Sequence, residues 1–228
     1  MRFVDRENEI IKILKKLSDF KIIVVGGYAV SARAKHRFSV DCDIIASKKD
    51  LEVIAKALNK EDFRKSTVKK GIDAEYGGEF IRYVKKIEKL PVSIDLMIDS
   101  LVCRTTNASW SFEYILKNSS KAIIAGIEDS VELPVPIKEL LLAFKIHSGR
   151  RTDLRDITML MNADWNIVKN HIKRGNLDVL KNQIGTMIKE LDDKNLVDSL
   201  KGEFQLKEDV GSMIDNAKKK LVALSGEI

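Results

Sequence analysis

The chain has 228 residues, of which 44% are hydrophobic and 32% are charged, and it carries a formal net charge of +6. This length suffices for two modest domains or for one domain with a helical appendage, and the apolar content excludes global disorder. The basic excess permits an anionic partner such as a nucleotide or RNA, although basic proteins whose lysines are simply solvated are also common.

The cysteines and the lengths of the apolar runs indicate in which cellular compartment the protein is expected. Cys42 and Cys103 are far apart and have neither a C-x-x-C spacing nor a histidine companion, which favours a reducing environment and argues against a disulfide scaffold or a zinc site. The longest apolar runs, such as residues 140–144, are far too short to cross a membrane, and the first ten residues, MRFVDRENEI, are too charged for a secretory signal. We therefore expect a cytoplasmic protein with no membrane partner.

In chain order, the first part of the sequence mixes helical and strand patterns. Apolar residues at helical spacing and small-residue runs predict helices at residues 5–19, 27–34, 51–58 and 112–116, with Asp5 as the N-cap of the first. Short β-branched or alternating runs predict strands at residues 21–25, 40–46, 63–68, 79–86, 92–98 and 121–127. The first part is therefore predicted to contain a mixed sheet with flanking helices.

The pattern changes at the segment LPVP, residues 133–136, whose two prolines predict an extended connector. Beyond it, apolar spacing predicts only helices, at residues 137–148, 153–162, 165–173, 177–191 and 206–224. We predict an α+β fold, with a mixed-sheet domain at residues 1–134 and an all-helical domain at residues 135–228.

A glycine pair, Gly26 and Gly27, lies where a predicted buried strand gives way to a predicted helix. Glycines let the backbone bend and a ligand approach closely, and the start of the following helix offers N–H groups and a positive dipole end to a phosphate. A glycine pair alone is more often an ordinary strand-to-helix turn, and the sequence contains neither a P-loop nor a Rossmann fingerprint.

Two acidic residues, Asp41 and Asp43, are two positions apart on a predicted strand, so both carboxylates emerge on one face. Their neighbours Val40, Cys42 and Ile44 are typical of a core. Adjacent acids repel each other and aspartate forms strands poorly, so a cation between them would explain the pair. The alternative is an exposed edge strand with solvated acids; the apolar neighbours favour a site for Mg²⁺, which prefers carboxylate and phosphate oxygens.

A third carboxylate would complete a two-metal site. In the alternating segment PVSIDLMID, Asp95 lies mid-strand on the side opposite the apolar residues, whereas Asp99 lies at the strand end and could equally cap a turn. We therefore select Asp95. Two divalent ions can hold a triphosphate and activate a hydroxyl for in-line attack, with Asp95 helping to deprotonate the acceptor. The predicted reaction is nucleotidyl transfer with pyrophosphate as the leaving group.

The glycine pair, the segment RFSVDCD at residues 37–43 and the single later aspartate together resemble the polymerase-beta-type nucleotidyltransferases. Within that superfamily the chain is most similar to the AbiEii-type group, the toxin-like nucleotidyltransferases of type IV toxin–antitoxin systems and their relatives. Residues 140–160, LLLAFKIHSGRRTDLRDITML, are similar to that group's downstream motif of a lysine-bearing helix, a basic turn and D-x-x-D. The resemblance covers residues 22–46, 92–98 and 137–161.

The resemblance implies a minimal nucleotidyltransferase sheet, a helical domain that closes over the nucleotide, and Mg²⁺ as cofactor. It assigns metal binding and catalysis to Asp41, Asp43 and Asp95, and nucleotide binding to Gly26, Gly27, Arg37, Ser39, Lys145 and Asp156. Tyr28 departs from the pattern, because many members have serine or threonine after the second glycine. This departure removes one phosphate-binding hydroxyl and leaves the mode of donor binding open.

Several of these residues also have purely structural interpretations. Lys145 lies among apolar residues and must either extend its amine to water or meet an anion. Asp153 is expected to cap the following helix, and Asp156 suits a first helical turn as well as a functional site. His36 is expected to be a surface residue rather than a base.

The leading hypothesis is a Mg²⁺-dependent nucleotidyltransferase that uses an NTP and modifies RNA, a protein or a small molecule. The net charge favours RNA, including tRNA, as the acceptor and argues against an acidic pocket for a polycationic drug. The resemblance adds a toxin-like role and a cognate antitoxin as partner. The alternative is a catalytically silent nucleotide- or RNA-binding module with the same fold.

Overall fold

The computed structural model describes residues 3–88, 90–206 and 209–228. The chain divides into two compact units: the described residues up to Val102 with Ser109–Ile137, and Cys103–Ala108 with the described residues from Lys138 to Ile228. The predicted α+β class, with a mixed sheet in the N-terminal part and helices in the C-terminal part, is confirmed. The division into domains at residue 134 stays a prediction; the second compact unit also includes residues 103–108.

The first unit contains the sheet and its flanking helices. Its helices are α1 (Phe3–Lys16), α2 (Gly26–Arg33), α3 (Leu51–Lys60) and α4 (Phe112–Lys117). The strands of the main sheet are β1 (Ile22–Val25), β2 (Asp41–Ala46), β3 (Arg64–Lys69), β4 (Glu79–Ile87) and β5 (Leu90–Ile98). Two hairpins follow, formed by β6 (Ser100–Cys103) with β7 (Ala108–Ser111), and by β8 (Ser119–Ala125) with β9 (Ser130–Pro136).

Within the described residues, the main sheet has the strand order β1-β2-β5-β4-β3. The pair β2–β5 is parallel, and the other neighbouring pairs are antiparallel. One face of β5 carries Val92, Ile94, Leu96 and Ile98, all fully buried, and α1 contacts this strand. Since side chains alternate along a strand, the other face carries the polar residues of β2, β4 and β5.

Three predictions about the first unit are wrong in detail. Asp5 does not cap α1, because the helix already includes Phe3 and the aspartate lies in its first turn. Val40 is not a core residue: β2 begins at Asp41, and Val40 is 41% exposed. The LPVP segment is not a bare connector but the end of β9, which pairs with β8.

The second unit is built from helices around its own apolar core. They are α5 (Lys138–Ser148), α6 (Asp153–Met159), α7 (Trp165–Ile172), α8 (Leu177–Glu190), α9 (Lys194–Phe204) and α10 (Val210–Glu227). Gly149, with φ of +61°, ends α5 in the left-handed conformation that glycine adopts at helix C-termini.

Two helices of the second unit differ from their predicted extents. The helix α9 was not predicted, although Leu196, Leu200 and Phe204 recur every fourth residue and are buried. The last helix was predicted at 206–224; it begins at Val210 instead, and residues 207 and 208 lie outside the described residues. No helix in the described part of the chain combines the length and apolar character that a membrane span needs.

Candidate active site

The glycine pair forms the turn from β1 into α2 and provides the first two residues of that helix. Gly26 has φ of +66°, a conformation that residues with a Cβ rarely adopt. A Cβ at Gly26 would also overlap the Asp43 carboxylate, and a Cβ at Gly27 would lie 2.9 Å from both an Arg37 guanidinium nitrogen and Ser39 Oγ. The structure therefore brings the glycine pair, Arg37, Ser39 and Asp43 together, and only glycine fits at the turn.

Hydrogen bonds hold the segment that leads from α2 into β2. The Tyr28 hydroxyl donates to the Ser39 carbonyl at 3.0 Å, and Ser39 Oγ lies 3.1 Å from Asp41 Oδ1. Ser31 Oγ accepts from the Arg37 backbone N–H at 3.2 Å. Tyr28 is buried, and burial is the main reason that its pKa is raised. Its position after the glycines thus has a structural use that sequence reasoning missed.

The same segment is anchored from α1. Glu7 is fully buried; its Oε1 lies 2.7 Å from His36 Nε2, and its Oε2 accepts from the Ile127 backbone N–H at 2.7 Å. His36 was expected to be an ordinary surface residue, and this is only partly right, since its side chain is 34% exposed but bonded to a buried carboxylate. Glu7 precedes Ile10, Ile11 and Leu14 at helical spacing. An acidic residue on the apolar side of a helix was the signal that could have indicated such a partner.

The three predicted carboxylates lie on one face of adjacent strands. In the parallel pair β2–β5, Asp43 is the direct partner of Asp95, and Asp41 is the partner of Ser93. Partnered residues point to the same side of a sheet, so Asp41, Asp43 and Asp95 share a face. Burial, and then the charges of Asp43, Asp41 and Asp95, raise the pKa of the Cys42 thiol.

Arg82 on β4 binds one of these carboxylates with both arms of its guanidinium. Its Nε lies 2.7 Å from Asp95 Oδ1, and its Nη2 lies 2.6 Å from Asp95 Oδ2. Hydrogen bonding to Asp95, together with the charges of Asp95, Asp41 and Asp43, raises the pKa of Arg82 against the opposing effect of burial. Sequence reasoning missed this residue, because its partnership depends on the register of β4 with β5, which pairs positions 82 and 95.

The donor set can be tested against the Mg²⁺ that the prediction calls for. Among the residues described, no group of three or more histidine, cysteine, aspartate or glutamate side chains is arranged to hold a metal ion. The chemistry of the donors nonetheless fits, because Asp41, Asp43 and Asp95 offer oxygen atoms, which Mg²⁺ prefers, on neighbouring strands. The Asp43 carboxylate itself occupies the position that a Cβ at Gly26 would need, so it lies directly against the backbone at the glycine pair. In this structure the cation that pairs with Asp95 is the Arg82 guanidinium.

The remaining predicted residues, Lys145 and Asp156, lie in the second unit. Lys145 is 6% exposed, and its Nζ lies 2.9 Å from Asp153 Oδ1 and 2.7 Å from Asp156 Oδ2. Arg150 completes the cluster, with Nε 2.9 Å from Asp153 Oδ2. Lys145 thus meets anions within the protein, and a contact between Lys145 and nucleotide phosphates stays a prediction.

Asp153 does not have the predicted capping role. The helix α6 begins at Asp153 itself, and its carboxylate binds Lys145 and Arg150 instead of a backbone N–H of the following turn. Burial alone would raise the pKa of Asp153, but Lys145 and Arg150 outweigh it and lower that pKa to about 2. The cluster consists of two cations and two carboxylates, so its formal charges balance.

Comparisons with known proteins identify solved structures that share the fold of this chain. No protein-family model matches the chain, and no curated protein matches it. Among solved structures, JHP933 from Helicobacter pylori is similar over 99% of this chain and 92% of its own, with 16% identity and a TM-score of 0.50, which indicates a shared fold.

Two further solved structures are similar at lower scores. One is a candidate nucleotidyltransferase from Helicobacter pylori, with 16% identity, a TM-score of 0.47 and coverage of 98% of this chain and 94% of its own. The other is the antibiotic-resistance factor ANT(2'')-Ia, with 11% identity, a TM-score of 0.40 and coverage of 98% and 95%.

Proposed function

We propose that this chain is a Mg²⁺-dependent nucleotidyltransferase, which transfers a nucleotide from an NTP to an acceptor and releases pyrophosphate. The observation that carries the proposal is the gathering of Asp41, Asp43 and Asp95 on one sheet face, with Asp43 against the glycine turn. Three carboxylates beside a turn that admits no side chain suit a polyphosphate and its metal ions better than a purely structural role, since close acids repel each other.

Each residue has a definite part in the proposed reaction. Bound Mg²⁺ would neutralise the triphosphate and lower the pKa of the acceptor hydroxyl. Asp41, Asp43 and Asp95 would hold the metal, and the backbone at Gly26 and Gly27 would approach the phosphates. The acceptor oxygen attacks the α-phosphorus, the bond from that phosphorus to the bridging oxygen breaks, and pyrophosphate leaves with the bonding electrons. The hydroxyl proton passes to Asp95.

Arg37 and Ser39 lie at the glycine turn and would contact the phosphates as well. Their segment is held by Tyr28 and Ser31, so their positions are fixed before a ligand arrives. The assignment of Lys145 and Asp156 to the nucleotide rests on the resemblance to the AbiEii-type group, from which a toxin-like role and a cognate antitoxin also follow.

RNA is the favoured acceptor in this proposal. Lys69 is the register partner of Phe80, which lies two residues before Arg82, so the exposed Lys69 is on the face of the sheet that carries Arg82 and Asp95. Lys86 on β4 shares that face and is also exposed. Neither lysine has an ion pair among the described residues. Exposed cations along the approach to the carboxylates suit a phosphate backbone.

The test is nucleotide transfer with each labelled NTP in turn, in the presence of Mg²⁺ and extracts of total RNA and of protein. We expect label in one macromolecular fraction and pyrophosphate release, both lost in the double variant Asp41→Ala, Asp43→Ala because the metal ligands are gone. A matched control is Asp178→Ala, Asp215→Ala, which removes two exposed aspartates of the second unit. Equal transfer by wild type and the D41A/D43A variant would refute the proposal.

One observation favours the catalytically silent alternative. Asp95, the proposed proton acceptor, has both oxygens bound by Arg82. A binding module with this geometry would bind an NTP in a metal-dependent manner but would release pyrophosphate from none of the NTPs tested. The same labelling experiment therefore separates the two functions when nucleotide binding is measured beside it.

A further inference from the structure

The bond between Arg82 and Asp95 joins an exposed residue to a buried one. The Arg82 side chain is 43% exposed, whereas the Asp95 side chain is 5% exposed. The two N–H···O bonds of 2.7 and 2.6 Å have the paired geometry of strong arginine–carboxylate contacts. The carboxylate is thus buried in the sheet, whereas nearly half of the Arg82 side chain is open to solvent.

The guanidinium also lies close to an aromatic ring while it binds Asp95. Phe80 precedes Arg82 by two residues on the same face of β4, and its ring centroid is 5.9 Å from the Arg82 guanidinium carbon. An aromatic face attracts a guanidinium within about 6 Å. Arg82 can therefore retain a favourable contact with Phe80 after it has released Asp95.

The charge of Arg82 conflicts with a metal ion at the same carboxylate. The pKa of Arg82 is raised by its hydrogen bonds to Asp95 and by the charges of Asp41 and Asp43, so the guanidinium already interacts with all three carboxylates. A divalent cation would use the same negative charges and would be repelled by the arginine.

We propose that Arg82 is a positioning residue that competes with the divalent metal for Asp95 and so limits metal binding until a phosphate group draws the guanidinium away. This inference rests on the proposed function, in which Asp95 serves the metal site. Arg82 would then respond to the arrival of substrate, because a bound phosphate offers the guanidinium a new anionic partner. Metal and substrate bind cooperatively as a result.

The test measures Mn²⁺ binding by electron paramagnetic resonance of the free ion, without NTP and with an NTP. Arg82→Met removes the positive charge but keeps an unbranched apolar side chain. Arg82→Lys keeps the charge but cannot form the paired hydrogen bonds of a guanidinium. The matched control is Arg64→Met, since Arg64 lies on the neighbouring strand and pairs with the exposed Asp62. Circular dichroism checks that each variant is folded.

We expect R82M to bind Mn²⁺ about 10-fold more tightly than wild type in the absence of NTP, a change of the size that residues around metal ligands produce. The Mn²⁺ affinity of R82K should lie between those of wild type and R82M, and the affinity of R64M should equal that of wild type. Adding Asp95→Asn to R82M should remove the gain. NTP should tighten Mn²⁺ binding less in R82M than in wild type, because the competing guanidinium is already absent.

The outcomes separate this inference from the proposed function. If wild type transfers nucleotides but R82M binds Mn²⁺ no more tightly than wild type, Arg82 does not compete with the metal and the inference fails alone. If R82M gains affinity but neither protein transfers a nucleotide, the proposed function fails and the competition stands. If neither protein binds Mn²⁺ at millimolar concentration, with or without NTP, both are refuted.

Discussion

At the scale of single residues, Gly26 is constrained in two independent ways. Its positive φ excludes most side chains for steric reasons within the backbone, and the Asp43 carboxylate occupies the space that a Cβ would need. The backbone conformation affects the stability of the fold, whereas the contact with Asp43 affects the geometry of the candidate site. A second glycine of the chain separates them, because Gly71 has φ of +59° but no atom within 4 Å of its Cβ position.

We predict that Gly26→Ala abolishes nucleotide transfer, because the new methyl group displaces the Asp43 carboxylate, whereas Gly71→Ala leaves transfer unchanged. Both variants should lose stability, G71A by about 1 kcal/mol from backbone strain alone and G26A by more. Urea unfolding and label transfer measure the two effects. A G26A protein with wild-type transfer would show that the close approach of Asp43 to the turn has no role in the reaction.

The carboxylates could be predicted from the sequence because the two-residue period of a strand determines which side chains share a face. The spacing of Asp41 and Asp43, and the alternation around Asp95, contain that information, and the register of β2 with β5 agrees with it. The contribution of Tyr28 could not be predicted in this way. Its hydroxyl reaches the Ser39 carbonyl across a loop whose path no periodicity describes.

At the scale of elements, the β4–β5 hairpin explains why Arg82 was overlooked. Ile87 pairs with Leu90, and the same antiparallel register sets Arg82 opposite Asp95. The sequence between these partners, Glu-Lys, lacks the Asn-Gly or Asp-Gly signature by which tight hairpins are recognised. Without that signature, the register remained unknown and so did the partner of Asp95.

The helix pair α5 and α6 depends on the buried cluster around Lys145. The two helices contact each other, and Lys145 from α5 binds Asp153 and Asp156 from α6. Lys145 is surrounded by apolar residues in the sequence, and its anionic partners belong to the next helix, so periodicity could predict the helices but not this contact. The cluster is the polar part of the packing between them.

We predict that Lys145→Met destabilises the chain by about 3–5 kcal/mol, the usual result of removing one partner from a buried ion pair. The substitution keeps the volume of the stem but removes the cation nearest to two buried carboxylates. Adding Asp156→Asn should restore part of the loss, because one buried negative charge disappears. Lys181→Met, at an exposed position of α8, is the control and should be neutral. Urea unfolding followed by far-ultraviolet circular dichroism measures all three variants; a loss in K145M no larger than in K181M would contradict the prediction.

At the scale of the whole molecule, the net charge of +6 indicated an anionic partner only in general terms. The structure distinguishes cations that serve the fold from cations that do not. Lys12 and Lys16 both bind Glu61, for example, whereas Lys69 and Lys86 have no ion pair among the described residues. Composition could not make this distinction, because it depends on which charges the folded chain brings into contact.

The stability of the whole chain should also depend on pH through a buried histidine. His147 is fully buried; its Nε2 donates to the Ile172 carbonyl at 2.8 Å, and its Nδ1 accepts from the Thr106 hydroxyl at 2.8 Å. Burial lowers the pKa of His147 to about 4, helped by the charge of Arg174, although the bond to Ile172 opposes the shift. The unfolded chain has a histidine pKa of about 6.5 and therefore takes up a proton first as the pH falls.

We predict that stability decreases as the pH falls from about 6.5 to about 4, because the unfolded state binds more protons than the folded state throughout that range. A pKa difference of this size corresponds to about 3 kcal/mol. His171, whose pKa burial also lowers, adds in the same direction. Urea unfolding at a series of pH values measures the slope, and His147→Asn should remove the larger part of it whatever its effect on stability at pH 7. A variant that keeps the wild-type slope would assign the acid sensitivity to other groups.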